Sequence, residues 1–593
     1  MRKILFLLFF LSITVGNAQN DLLAKNYFNQ GEYEKALAIY SKLYKKTKRY
    51  DYFNWLVATH QQLENYAEAE RLLKQKLNSP RINSKLYVEL GYNYALQKKD
   101  SLATINYNKA IESLSGNINY IRQVGETFEK FSLAEQAITT YETAMELHPD
   151  MDYNYQLARL YGEQGNLEKM FISYLNLIKK NRAYKGIAQQ NFSLYITEDP
   201  NNEANILLRK ALLQKLQKQP DIMYNELLSW LFIQQKDYKK AFTQEKAIYK
   251  RMGDDDLGGI ADVAYIAMED EDYENATTIV NYLIENASTS AQKIEGNRHL
   301  MKIKLKTSSK KNYAKIENEF KKLIDEFGLE KETYQLQLDY NYFLAFQFNN
   351  KEVAISNLKK FSKQKLTRYQ DARVKMLLAD ILVYDEKFNQ ALIYYSQIQK
   401  EVKGDRLAQE ARFKVAKTSY FKGDFEWAQV QLDVLKKSAS QLIANDAMQL
   451  SLLIKDNSLE DSTQTALKLY ARADLLFFQK KETKAIAVLN SILENHKGEK
   501  IEDEALLKIG QLYEVKEEYE KAETAYLKII QFYKEDILAD DAYFRLAKLY
   551  EIRLNQPEKA KQYYEQIIFD FADSIYFVEA RKKYRTLRGD EIE

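Results

Sequence analysis

Large apolar residues recur along this chain at helical spacing, in paired stretches joined by short polar turns. The pattern is clearest between Ile121 and Pro149. Ile121, Val124, Gly125 and Phe128 share one face of a first predicted helix. Ala137, Tyr141 and Ala144 share one face of a second, and Pro149 closes the unit. The same order returns at Leu23-Ala24, Tyr27, Gly31, Tyr33, Ala36, Tyr40 and Leu43. It returns more weakly at Leu56-Val57, Tyr66, Ala69 and Leu73. It is strong again at Tyr87, Leu90-Gly91, Tyr94, Ala103, Tyr107 and Ala110, then at Leu157-Ala158, Tyr161, Gly165, Met170 and Tyr174. Equivalent positions in these units lie 33 or 34 residues apart.

Residues 181–220 break this phase. Thr197 to Asn202 reads as a turn, and the helical stretch from Glu203 to Lys218 lacks the aromatics of the repeat. The pattern resumes at Leu228, with spacings of 35 to 40 residues in this half. A second irregularity lies at 440–461. There an apolar-periodic helix from Gln441 to Ile454 has no obvious partner, so it must redirect the stack or pack on its outside. Clear units follow to Ile567, and Asp573-Ser574 signals the start of a final helix with Phe577, Ala580, Tyr584 and Leu587 on one face. Across the chain, alanine holds the key second-helix position at 36, 69, 103, 137, 241, 276, 354, 391, 428, 485, 522 and 560. A small side chain there lets the paired helices approach closely.

The Leu-Gly-like pair, the aromatics, the small residues and the closing proline resemble the tetratricopeptide repeat, a helix-turn-helix unit that stacks into a solenoid. The resemblance implies an all-α fold, an α-α superhelical solenoid of about 13–14 helical hairpins with irregular joints near 181–220 and 440–461. The expected divisions are a signal peptide at 1–18, an N-terminal array at 19–180, a joint at 181–220, a degenerate array at 221–365, and a C-terminal array with a capping helix at 366–593.

Composition agrees with helices and narrows the function. Gly (18) and Pro (5) are scarce, and Tyr (45) is abundant. Lys and Arg total 87 against 84 Asp and Glu, a net charge of +3, which makes no case for a nucleic-acid partner. Cysteine is absent, which excludes disulfides, thiolate metal sites and cysteine nucleophiles. Arg2-Lys3, the apolar run from Ile4 to Val15, and Gly16-Asn17-Ala18-Gln19 have the layout of a secretory signal peptide cut after Ala18. The run is shorter than the roughly 20 residues that span a bilayer. The expected location is therefore exported: periplasm, in association with the outer membrane.

Candidate chemistry is sparse. His60, His148, His299 and His496 are scattered without metal-ligand spacing. No Gly-x-Ser-x-Gly elbow or phosphate-binding glycine loop occurs. The acidic loop Gly253 to Gly259 does not fit an EF-hand and reads as a solvated turn rather than a calcium site. No cofactor, metal or catalytic set is expected, and the chain does not read as an enzyme.

The repeat resemblance implies binding of peptides or proteins along the face lined by first helices. Matching positions in this sequence are Asp21, Lys25, Asn54, Tyr92, Arg122, Glu126, Tyr155 and Arg159. Residues 366–588 also resemble periplasmic repeat proteins of envelope assembly, of the BamD-like and CpoB-like kind. That likeness rests on Gly423-Asp424-Phe425-x2-Ala428, Asp573-Ser574 and Glu579-Ala580-Arg581. It implies an exported scaffold for protein–protein interactions in an outer-membrane assembly or secretion complex, with other envelope proteins or peptides as partners. The alternative is a periplasmic peptide- or glycan-binding protein that uses the same face.

Overall fold

A helical hairpin of this length buries too little apolar area to stand alone, so its neighbours must supply the rest. The computed structural model bears this out. It describes residues 20–79, 83–116, 118–253, 256–438, 440–458 and 463–590. The expected signal peptide lies outside them. The protein is 80% helical and, among the described residues, has no strand. The chain divides into two compact units between Ile279 and Val280, inside helix Tyr273–Asn286 and within the expected 221–365 array.

In the first unit, a helix over residues 20–29 pairs with Tyr33–Thr47. Tyr50–Gln62 pairs with Tyr66–Leu77, Lys85–Ala95 with Asp100–Glu112, Ile121–Lys130 with Ala134–Leu147, and Asn154–Glu163 with Leu167–Lys180. The joint follows as a short helix, Lys185–Phe192, and the longer Glu203–Lys218. Phe192 is buried edge-on against Phe171 and Tyr174, at 5.1 and 5.7 Å. Between the two helices Asn205 Nδ2 donates to the carbonyls of Thr197 (2.7 Å) and Asp199 (2.6 Å), holding the expected turn. Ile222–Gln234 and Tyr238–Met252 restore the hairpin pattern.

In the second unit the pairs are Ser290–Thr307 with Tyr313–Phe327, Tyr334–Phe346 with Lys351–Phe361, Arg368–Tyr384 with Phe388–Glu401, and Arg406–Lys422 with Phe425–Ser438. The odd helix Gln441–Asp456 then intervenes. Thr465–Phe478 pairs with Glu482–Asn495, Ile501–Val515 with Tyr519–Phe532, and Ala539–Ile552 with Pro557–Asp570. The cap Phe577–Arg588 starts later than Asp573-Ser574 suggests. Ser574 Oγ instead accepts the Tyr576 N–H at 3.1 Å, and the Tyr576 ring stacks on Phe544 at 4.3 Å. Anchoring Tyr576 delays the helix until Phe577.

The alanine ladder is buried throughout: every alanine in it is 3% exposed or less. Opposite it, the second-helix tyrosine needs room on the first helix. Gly91, Gly125 and Gly510 provide it, because a Cβ on each would stand 2.3–2.4 Å from the rings of Tyr107, Tyr141 and Tyr526.

Candidate partner-binding groove

The sequence placed its candidates on the first helices of the N-terminal unit, and there they lie. Lys25 holds its ammonium 6.0 Å from the Trp55 ring centroid. Asp21 and Lys25 share the helix over 20–29, and Asn54 sits beside Trp55 with its side-chain oxygen buried and unbonded. Tyr92 stacks on Phe131 at 3.9 Å. Arg122 and Glu126 pair with each other at 2.7 Å. Arg159 pairs with Glu163 at 2.6 Å and also with Glu129. Tyr155 is exposed, 6.3 Å from the Tyr184 ring. The structure therefore brings Arg122 to Glu126 and leaves the other candidates spread along successive helices, with Arg159 committed to carboxylates of the array itself.

A more concentrated arrangement, which the sequence reading missed, lies in the second unit. The odd helix Gln441–Asp456 packs on Phe425–Ser438 and on Arg406–Lys422, while Thr465–Phe478 returns to Arg406–Lys422. A groove of about 340 Å³ opens between these elements and the end of Arg368–Tyr384. Phe413, Phe421, Phe478 and Leu442 give it apolar walls, and the Phe421 and Phe478 rings stack at 6.2 Å. Its end is closed by reciprocal bonds: Tyr384 Oη donates to the Gln479 carbonyl and Gln479 Nε2 to the Tyr384 carbonyl, each at 3.1 Å.

Two matching polar triads flank it. Asp380 accepts from the Tyr395 hydroxyl at 2.5 Å and from Lys414 Nζ at 2.8 Å. Asp474 accepts from the Tyr420 hydroxyl at 3.1 Å and pairs with Lys508 at 2.7 Å. Burial, then the neighbouring aspartate, pushes both tyrosine hydroxyls far above their ordinary range. Lys417 lies between the triads. It is hemmed in by protein on several sides yet still open to water, as a side chain in a groove can be. Desolvation lowers its pKa, Asp474 opposes that, and Lys508 and Lys414 reinforce it. Among the described residues Lys417 forms no ion pair, nor do the exposed Arg406, Glu410 and Asp446 around the mouth. Unpaired charge beside aromatic walls can hold a ligand's polar groups while an apolar side chain enters the cleft. The spacing of Asp380 to Lys414, 34 residues, recurs from Asp474 to Lys508 and was the available signal in the sequence.

No group of three or more His, Asp or Glu side chains able to hold a metal occurs among the described residues. Asp254 and Asp255 of the acidic loop lie outside them. No described helix is long and apolar enough to cross a membrane.

Stacked antiparallel hairpins with a groove on their first helices define a helical-repeat protein. Family models described as tetratricopeptide repeat match residues 22–46, 504–536 and 540–568, each of which falls on a hairpin given above, so the chain carries tetratricopeptide repeats. A comparison with curated proteins finds no match. Two solved structures are similar over most of the chain. Naa15/Naa10 bound to HypK-THB is 13% identical, covers 97% of this chain and 96% of its own, and has a TM-score of 0.28. The APC/C hetero-tetramer Cut9-Hcn1 is 14% identical, covers 96% of both chains, and has a TM-score of 0.20. At such scores neither bears on the fold or the partners of this chain.

Proposed function

We propose that this protein is an exported scaffold that holds partner proteins in a cell-envelope complex for outer-membrane assembly or secretion. The observation that carries the binding reading is the groove at Lys417. Elsewhere on the first helices a number of charges pair with neighbours, such as Glu551 with Lys583 at 2.8 Å. At the groove, Lys417, Arg406, Glu410 and Asp446 are left for a ligand. The export reading is supported by the basic start, apolar run and small residues of positions 2–18.

A photo-crosslinking residue in place of Phe421, in cells, tests both parts. The expected product is a crosslink to an envelope protein, lost when Lys417→Glu is added. Crosslinks that survive Lys417→Glu would remove the groove, and recovery of the protein with the cytosol would remove the envelope. Titration with peptides and with cell-wall fragments separates partner binding from the glycan-binding alternative, which the aromatic walls also support.

A further inference from the structure

Three lysines lie on or beside the groove, and two of them are neutralised. Lys414 reaches both carboxylate oxygens of Asp380, at 2.8 and 2.9 Å. Lys508 pairs with Asp474 at 2.7 Å. Each aspartate also accepts a tyrosine hydroxyl, from Tyr395 and Tyr420. Lys417 is the third, and it forms no ion pair among the described residues. Its ammonium lies 5.9 Å from the centre of the Phe421 ring. Three lysines against two aspartates leave one positive charge, set beside apolar walls that solvate it poorly.

Those walls face the groove. Leu442 is 69% and Phe478 38% exposed, and Phe413 and Phe421 are half-buried. The 340 Å³ that they help to line is at the low end of the roughly 300–1,000 Å³ of small-ligand sites. The mouth is mixed in sign, with Arg406 against Glu410 and Asp446. Asp446 acts on Lys417 more weakly than Asp474, Lys508 and Lys414 do, which puts it at the rim rather than on the ammonium. Two acids to one arginine at the rim oppose a ligand with several negative charges. A phosphate monoester, at about −1.5 to −2, exceeds the single charge of Lys417. The groove thus suits one negative charge beside a large apolar group, and not an acidic tract.

Resting on the binding reading above, we propose that the groove takes a single carboxylate carried next to a large apolar side chain of a partner peptide. Lys417 holds the carboxylate, and the apolar side chain lies against Phe413, Phe421, Phe478 and Leu442. A peptide's own C-terminus and an internal aspartate or glutamate offer the same chemistry.

Isothermal titration of the full chain with short peptides tests this. One probe is acetyl-Gly-Gly-Gly-Phe with a free C-terminus; the other is an amidated peptide with an internal Asp-Phe pair. At least one should bind about tenfold tighter than amidated acetyl-Gly-Gly-Gly-Phe, and which one does identifies the source of the carboxylate. Lys417→Met should abolish that preference without moving the melting curve, since Lys417 forms no ion pair, and Lys417→Arg should keep it. Leu442→Ser, at a side chain already largely in water, should weaken acid and amide alike. Replacing the glycines by aspartates should not tighten binding, and inorganic phosphate should not displace the peptide. The ligand class is overturned if neither carboxylate peptide exceeds the amide, or if Lys417→Met keeps the preference. It is equally overturned if phosphate displaces the peptide or the aspartate-rich peptide binds tighter. A Lys417-dependent crosslink to an envelope protein without any carboxylate preference would remove this ligand class and leave the scaffold reading standing. A carboxylate preference without that crosslink would do the reverse.

Discussion

Gly125 sits where the Tyr141 ring crosses the first helix of its hairpin, with no space left for a methyl group. Gly125→Ala is expected to destabilise the protein by about 1–3 kcal/mol, the usual cost of overpacking, read as a lowered urea midpoint. Ala137→Leu enters the same seam from the other helix and should cost a similar amount. Gly186→Ala, on an exposed helical face with nothing within 4 Å, is the control and should be neutral or better. Glu504 gives a second residue-scale expectation. Burial raises its pKa, and the hydrogen bond and charge of Asp503 raise it further, against a 3.0 Å bond from Asn457 Nδ2. The folded state thus keeps a proton that the unfolded chain releases near its ordinary value of 4.5. Stability is full below that pH and falls as pH rises toward the folded pKa. Glu504→Gln should therefore raise the urea midpoint more at pH 8 than at pH 5. An equal gain at both pH values would show that the carboxyl is not protonated in the fold.

Most hairpin turns share one device that the sequence hides. The residue two before the second helix is left-handed: Gly31, Glu64, Lys98, Ser132, Gly165, Lys236, Glu271, Asn349, Glu386, Gly423, Lys480, Glu517 and Asn555. The next N–H then reaches back to a carbonyl five residues earlier, as from Asp424 to Ser419 at 2.9 Å or from Glu518 to Tyr513 at 2.9 Å, or six earlier, as from Asn350 to Leu344 at 2.7 Å and from Gln556 to Tyr550 at 2.9 Å. Only a few of these positions are glycine, so composition does not reveal the turn; stacking of the two helices imposes it. Gly423→Ala, at a φ of 82°, is expected to cost about 1–2 kcal/mol in a melting experiment. The reverse exchange, Glu517→Gly, should stabilise by a few tenths to about 1 kcal/mol, since relief of strain exceeds the added chain entropy only slightly. The odd helix shows the same division at larger size. That it stands outside the regular pairing is readable from Gln441 to Ile454, but its seat on both Phe425–Ser438 and Arg406–Lys422, which shapes the groove, is decided by packing.

In a molecule built of neighbour contacts, a local defect should stay local. Hydrogen exchange on the Gly125→Ala variant should quicken in the helices between Lys85 and Lys180 and stay unchanged from Arg368 to Arg588. Exchange that quickens everywhere would mean the hairpins unfold as one cooperative block. The same modularity explains why the N-terminal candidates were legible and the groove was not. Asp21, Lys25, Arg122 and Tyr155 follow from their position within one repeat. The groove needs Asp380, Lys417, Leu442 and Phe478 from four separate helices, and it exists only because the odd helix interrupts the regular spacing.

The chain alone determined its helices, their pairing and the seam between them, because a 3.6-residue apolar period and a recurring alanine act through neighbours in sequence. Tertiary structure decided which charges are already spent and which remain for a ligand. Arg159 looks available in the sequence and is bound to Glu129 and Glu163, whereas Lys417 looks ordinary and is left unpaired in a cleft. The pair of Arg159 with Glu129 depends on the distance between two helices, and no pattern within one helix encodes it.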